Sequence, residues 1–186
     1  MTLPNQLTNG HPADADEVME NFEFLQQKLI DSLPKTYVQY YTADLTVGTT
    51  FANITTPVTV TIRDGFDFSI ATEIPMRGQG TGYWGGGYQK ILIAINGGSN
   101  IDLGHTGHSD VMVSNNIEMI GRSFKKLLIK RSELSQIPNE GDFELTVTIQ
   151  ARSYDNTMRV NGGNGISGDR YKTQVTIKEE NSVNLV

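Results

Sequence analysis

The sequence predicts a mainly β protein, an antiparallel β-sandwich of jelly-roll-like form preceded by a short N-terminal α-helix. Three observations lead there. From Tyr37 onward apolar residues recur with a period of two and β-branched residues dominate. About seven to ten short candidate strands are separated by Gly- and Asn-rich turns with no helical spacer, a pattern that argues against a parallel α/β fold. A helical period is confined to residues 14–34.

Residues 1–13 carry Pro4, Asn9-Gly10 and Pro12, turn residues without periodicity, and read as an extended docking arm. At Asp14 the pattern changes. Asp14 with Glu17 has capping-box spacing, and the acidic first turn suits the positive end of a helix dipole. Val18, Phe22, Leu25 and Leu29 then follow at spacings of four, three and four, the seam of a short coiled coil. Phe24, Ile30 and Leu33 widen that face, and Pro34 ends the helix near Leu33. This segment, 14–34, is expected to serve oligomerisation or attachment; the alternative is an amphipathic helix packed on its own domain.

Residues 35–186 form the expected sandwich domain. Pro57–Ile62 alternates, Asp64-Gly65 marks a tight turn, and Phe66, Phe68 and Ile70 alternate again, which reads as a hairpin. Further strands are expected at Tyr37–Thr42, Lys90–Asn96, Asp110–Val113, Phe124–Lys130, Phe143–Ala151 and Lys172–Lys178, with weaker signals at Leu45–Val47 and Ile117–Ile120. Two glycine-rich segments, Arg77–Tyr88 and Asn161–Arg170, read as long loops. Strand order cannot be read from spacing, so an immunoglobulin-like sandwich stands second to the jelly roll.

The charge balance of 15 Lys and Arg against 21 Asp and Glu, net −6, offers no footprint for a nucleic-acid backbone. The basic stretch Lys125–Arg131 alternates with apolar residues and reads as a strand with a charged outer face. The absence of cysteine removes disulfides and thiolate metal sites. No basic and apolar leader opens the chain, and the longest apolar run, Ile91–Ile95, is far too short to cross a bilayer. A soluble protein made in the cytosol, without membrane insertion, is expected.

No catalytic, cofactor or metal site is expected. His105-Thr106-Gly107-His108 with Asp102 and Asp110 could be drawn as a metal site, but Gly104 and Gly107 make it read as a turn. Asn161–Asp169 has Asp169 as its only carboxylate, which is too few for calcium. Gly78–Gly82 is followed by no phosphate-loop Lys-Ser or Lys-Thr. Nothing repeats at the period of a polysaccharide-cleaving β-helix. Tyr83, Trp84 and Tyr88 in a glycine-rich segment are the candidate ligand or partner surface, for a host surface glycan; packing of Trp84 on the sandwich is the alternative.

The N-terminal residues Leu3-Pro4-Asn5, Asn9-Gly10, Ala13-Asp14-Ala15-Asp16-Glu17-Val18, Asn21-Phe22 and Leu25 resemble a short motif near the start of tail fibres, tailspikes and related appendage proteins of tailed bacteriophages. Met19 departs from it, standing where a polar residue is expected. The resemblance covers residues 3–25. It implies a virion component, a fibre, spike, collar or capsid-decorating protein, made in the host cytoplasm. It further implies a homotrimer that meets other virion proteins through residues 1–34, with a host-receptor or glycan-binding adhesion module as the alternative.

Overall fold

A computed structural model of the chain describes residue 5 and residues 14–79, 84–114, 117–118, 121–154, 157–161 and 172–181, with backbone only at 78–79, 84–85, 108–114 and 117–118. The chain divides into two compact units, Met1–Lys35 and Thr36–Val186. The first holds helix α1 (Ala15–Ser32). The second holds β1 (Thr36–Tyr41), β2 (Leu45–Val47), β3 (Ala52–Asn53), β4 (Val58–Ile62), β5 (Phe66–Gln79), β6 (Trp84–Ile95), β7 (Ile101–Ser114), β8 (Ile117–Glu118), β9 (Gly121–Ile129), β10 (Phe143–Ser153), β11 (Thr157–Val160) and β12 (Thr173–Asn181).

All pairings are antiparallel. In one sheet β12 and β11 lie end to end along one edge of β5, each with its own outer neighbour, β1 and β2, while β9 takes the other edge of β5. In the second sheet β4 and β3 share one edge of β10, followed by β6, β7 and the short β8. Counting each end-to-end pair as one broken strand and leaving aside the short β8, this is a jelly roll of two four-stranded sheets, as the alternating pattern predicts. Antiparallel sandwich and N-terminal helix are both present.

The inner faces interdigitate. Phe68 meets Phe143 edge to face at 5.9 Å, surrounded by fully buried Ile70, Ile74, Ile91, Ile93, Leu145, Ile149 and Ile177. Each such side chain contributes about 1.5–3 kcal/mol of burial free energy. A polar bridge crosses this core: the Thr72 hydroxyl donates to Gln89 Oε1 at 2.5 Å, and Gln89 Nε2 donates to Ser123 at 2.6 Å. Gln89 is fully buried, so its amide ties β6 to β5 and β9 of the opposite sheet in a single register.

The Asp64-Gly65 turn forms, with Gly65 at φ 79° and the Phe66 N–H donating to the Arg63 carbonyl, but it does not close a hairpin. β4 pairs with β10 in one sheet and β5 with β12 and β9 in the other, so the turn is an arch between sheets. A hairpin does form between β6 and β7. Asn96 and Gly97 take φ of 49° and 69°, and Gly98 N–H closes onto the Ile95 carbonyl at 2.8 Å.

Three other expectations are corrected. Arg77–Tyr88 is no long loop, because β5 runs to Gln79 and β6 begins at Trp84. Glycine is needed there for packing: a Cβ on Gly87 would lie 2.5 Å from the Arg152 carbonyl oxygen. His105–His108 lies within β7, where Gly104 at φ 78° accompanies a register shift against β6 instead of a turn. Arg131 leaves the basic strand and opens a 3-10 turn, while β9 exposes Phe124 and Leu128 beside Arg122 and Lys126, so its outer face is only half charged. Asn161–Arg170 lies outside the described residues except for Asn161.

At one end of the sandwich Glu179 points inward, fully buried, and meets the Arg63 guanidinium at 2.6 Å, with a further Arg63 Nε bond to each carboxylate oxygen at 3.1 Å. Burial raises the pKa of nearby Tyr37, and the Glu179 charge raises it further. Arg63→Met strands this carboxylate and should lower stability by about 3–5 kcal/mol, read as a fall in the urea midpoint. Adding Glu179→Leu should recover part of that loss; an unchanged midpoint in the single variant would show that the pair does not hold the corner.

The boundary at Lys35 predicts that fragment 36–186 melts cooperatively without the helix, since both inner faces of the sandwich lie within it. A non-cooperative circular-dichroism melt of that fragment would refute this.

Candidate attachment site

Helix α1 starts where Asp14 accepts a hydrogen bond from Asp16 N–H at 3.0 Å, and it ends at Ser32 with Leu33 as cap. Among the described residues the cap rests on Asp14 alone; Glu17 makes no return bond of the expected capping box. Asp16 and Glu17 lie at the positive end of the helix dipole.

The helix buries one residue, and it is polar. Asn21 is 7% exposed. Its carboxamide makes a two-point clamp on the backbone of Asn5: Oδ1 accepts from Asn5 N–H and Nδ2 donates to the Asn5 carbonyl, both at 3.1 Å. The Asn5 side chain in turn donates to Glu20 at 2.7 Å. An asparagine side chain here mimics a peptide group, pairing with one extended residue as a neighbouring strand would.

The predicted seam lies beside this clamp. Asn21, Leu25 and Leu29 stand at successive intervals of four, so they form one row on the helix surface. Phe22 is 64% exposed, Leu29 64% and Leu25 43%, while Val18 is half-buried. Met19, Ile30 and Leu33 are also more than half exposed, which makes the apolar face wider than the seam alone. Exposure of so many large apolar side chains on one short helix marks an interaction surface.

Sequence reasoning gave the oligomerisation role to Val18, Phe22, Leu25 and Leu29 and, though Asn21 is among the resembling residues, assigned it no contact. The available signal was an asparagine of poor helix propensity in mid-helix, three residues after Val18 and four before Leu25.

The second candidate surface is only partly assembled. Tyr83 lies outside the described residues, and Trp84 opens β6 opposite Met112 with its side chain undescribed. Tyr88 lies farther along β6, and its ring neighbours are His105 at 5.3 Å and Tyr154 at 4.5 Å, both edge to face. The Arg152 guanidinium lies 4.7 Å from the same ring. The Asp102 carboxylate belongs to an ion pair, with Lys90 at 2.7 Å. The Lys90 hydrogen bond holds its pKa below the ordinary range, aided by Gly104 N–H. No group of three potential metal ligands occurs among the described residues, and no described helix is long and apolar enough to cross a membrane.

No family profile and no curated protein matches this sequence. Solved structures of infectious bursal disease virus are similar in part. The Gx strain aligns at TM-score 0.32 and 11% identity, covering 80% of this chain and 38% of the other. The VP2 subviral particle aligns at TM-score 0.33 and 12% identity, covering 80% and 37%. This chain therefore spans well under half the length of those chains. Likeness of this degree assigns no family.

The clamp generates a direct test. Asn21→Leu removes both bonds to Asn5, each worth about 1 kcal/mol, and leaves the Asn5 backbone groups unpaired. Amide exchange at Asn5 should accelerate about tenfold or more while exchange in β10 stays unchanged; equal exchange at Asn5 would show that the clamp is not formed in solution.

Proposed function

We propose that this protein is a non-enzymatic structural component of a tailed-bacteriophage virion: a fibre, spike, collar or capsid-decorating protein made in the host cytoplasm and fixed to the particle through residues 1–34. The observation that carries the reading is the helix α1, which uses its one buried residue to hold Asn5 and leaves its apolar face open. A helix built to stabilise its own unit would bury leucines and expose the amide; this one does the reverse. The resemblance of residues 3–25 to appendage proteins supports the same assignment, and both asparagines of the clamp belong to the matching residues. Jelly rolls recur in capsid and lectin domains, an analogy of fold alone.

The working form is a homotrimer with Val18, Phe22, Leu25 and Leu29 near its axis. An 18-residue helix is marginal in water by itself, so the β units share the association. Edge strand β9, with Phe124 and Leu128 exposed on its outer face, offers them a surface.

Light scattering on the full chain at micromolar concentration should give roughly three chain masses; a monomer would end the trimer reading. Leu25→Asp places carboxylates at the axis, where burial costs several kcal/mol, and should abolish incorporation into particles. Incorporation at the wild-type level would exclude α1 as the attachment element.

A further inference from the structure

The outer face of the β10–β6–β7 sheet carries a built cluster of side chains. Arg152 on β10, Tyr88 on β6 and Gly107 on β7 are register partners in one row across three strands. The Arg152 guanidinium lies between two rings, 5.1 Å from Phe51 and 4.7 Å from Tyr88. The Tyr88 ring stands at 89° to Tyr154 and 84° to His105, and both of those neighbours are exposed. Gly107 makes room for this: a Cβ there would lie 2.7 Å from the Tyr154 hydroxyl and 3.0 Å from Tyr88 Cε1. Lys90, partnered by Asp102, borders the cluster and lies 4.7 Å from the Phe51 ring.

The electrostatics of Arg152 differ from those of four other arginines. Arg63, Arg122, Arg131 and Arg159 each pair with a carboxylate. No hydrogen bond or ion pair holds Arg152 among the described residues, and its Nε is buried without a partner. Two aromatic rings fix the plane of this guanidinium and strip part of its water, yet none of its donors is used. A planar, oriented guanidinium whose terminal nitrogens hold no hydrogen-bond partner among the described residues matches a carboxylate, and a rim of aromatic rings matches the apolar face of a pyranose.

We propose that Phe51, Tyr88, His105, Arg152 and Tyr154 form a binding site for a carboxylated sugar, a uronate-type residue of a surface polysaccharide. The carboxylate pairs with Arg152 and the sugar ring rests against the exposed aromatic rim. A handful of side chains on one sheet face suits a saccharide unit, whereas a stable protein interface engages roughly 20–30 residues a side. The site is independent of how the chain joins a particle, so it stands or falls apart from the attachment reading.

The test uses the purified full chain and calorimetric titration with oligogalacturonate, a neutral galactan oligomer, poly-L-glutamate and inorganic phosphate. The expected result is saturable binding of oligogalacturonate, weakened about tenfold or more in Arg152→Met and less in Arg152→Lys. Tyr154→Ala, at an exposed position, should weaken it as well. Absence of saturable binding, equal binding of the neutral oligomer, or unchanged affinity in Arg152→Met would overturn the proposal. Poly-L-glutamate or phosphate binding as tightly as the uronate would overturn the sugar assignment in favour of an acidic peptide or a simple anion. If Arg152→Met does not fold, perturbation of the His105 and Tyr154 ring resonances of the wild-type chain by oligogalacturonate decides, and unmoved resonances refute the site.

Discussion

The corner where Arg131 sits governs the rest of the sandwich. A jelly roll crosses between its sheets at nearly every connection, and each crossing leaves carbonyl groups that no strand satisfies. Arg131 answers this from one position. Its guanidinium donates to the carbonyls of Phe66, Arg63, Pro138 and Gly141, at 2.7–3.1 Å, and its backbone N–H donates to Asp67 at 2.9 Å. The β4–β5 arch and the β9–β10 connection are thereby joined, and Asp64 and Asp142 exchange bonds with the same two segments. The guanidinium also covers the Phe143 ring, 5.0 Å away, so the polar corner seals the apolar core directly. The Arg63–Glu179 pair extends the seal to β12.

The broken strands follow a similar logic. Pro75 lies in long β5 between the segments paired with β12 and with β11, where the ladder on that edge has no partner for an N–H. The Pro75 carbonyl still accepts from Asn161 N–H at 3.3 Å. Asn161, at φ 61°, also donates to the Ala43 carbonyl and accepts from the Thr173 hydroxyl, so one side chain stitches the gap at which both outer strands break. Near the opposite edge, Lys125 of β9 turns inward and donates to the carbonyls of Leu103 and Gly104 in the other sheet, and burial lowers its pKa. An inward lysine on an edge strand also discourages further strand addition.

These features mark what the sequence could and could not reveal. Period-two runs such as Phe143–Ala151 identified strands, because a strand buried on one face must alternate. Leu45–Val47, the weaker signal, is β2. The Asp64-Gly65 turn was visible but its topology was not, since the arch and the hairpin demand the same local φ and differ only in which distant strands pair. β7 was missed over His105–His108 because glycine ordinarily signals a turn, whereas Gly107 is required by rings that lie above it. Tyr88 was legible as a surface aromatic, but Phe51, Arg152 and Tyr154 come from distant positions and share no motif with it. Their meeting is a product of register alone.

The N-terminal unit obeys a different rule from the sandwich. Burying Asn21 contributes only about 2 kcal/mol through its two hydrogen bonds, because they replace bonds to water. What the clamp supplies is geometry. An amide must be satisfied in direction as well as in contact, so it accepts one placement of Asn5, whereas a leucine would tolerate many. The clamp thereby holds residue 5 at a defined position beside the row that continues through Leu25 and Leu29. The proposed attachment role calls for that order of priorities: apolar area kept open for the partner, and a polar contact spent on orientation before the partner arrives.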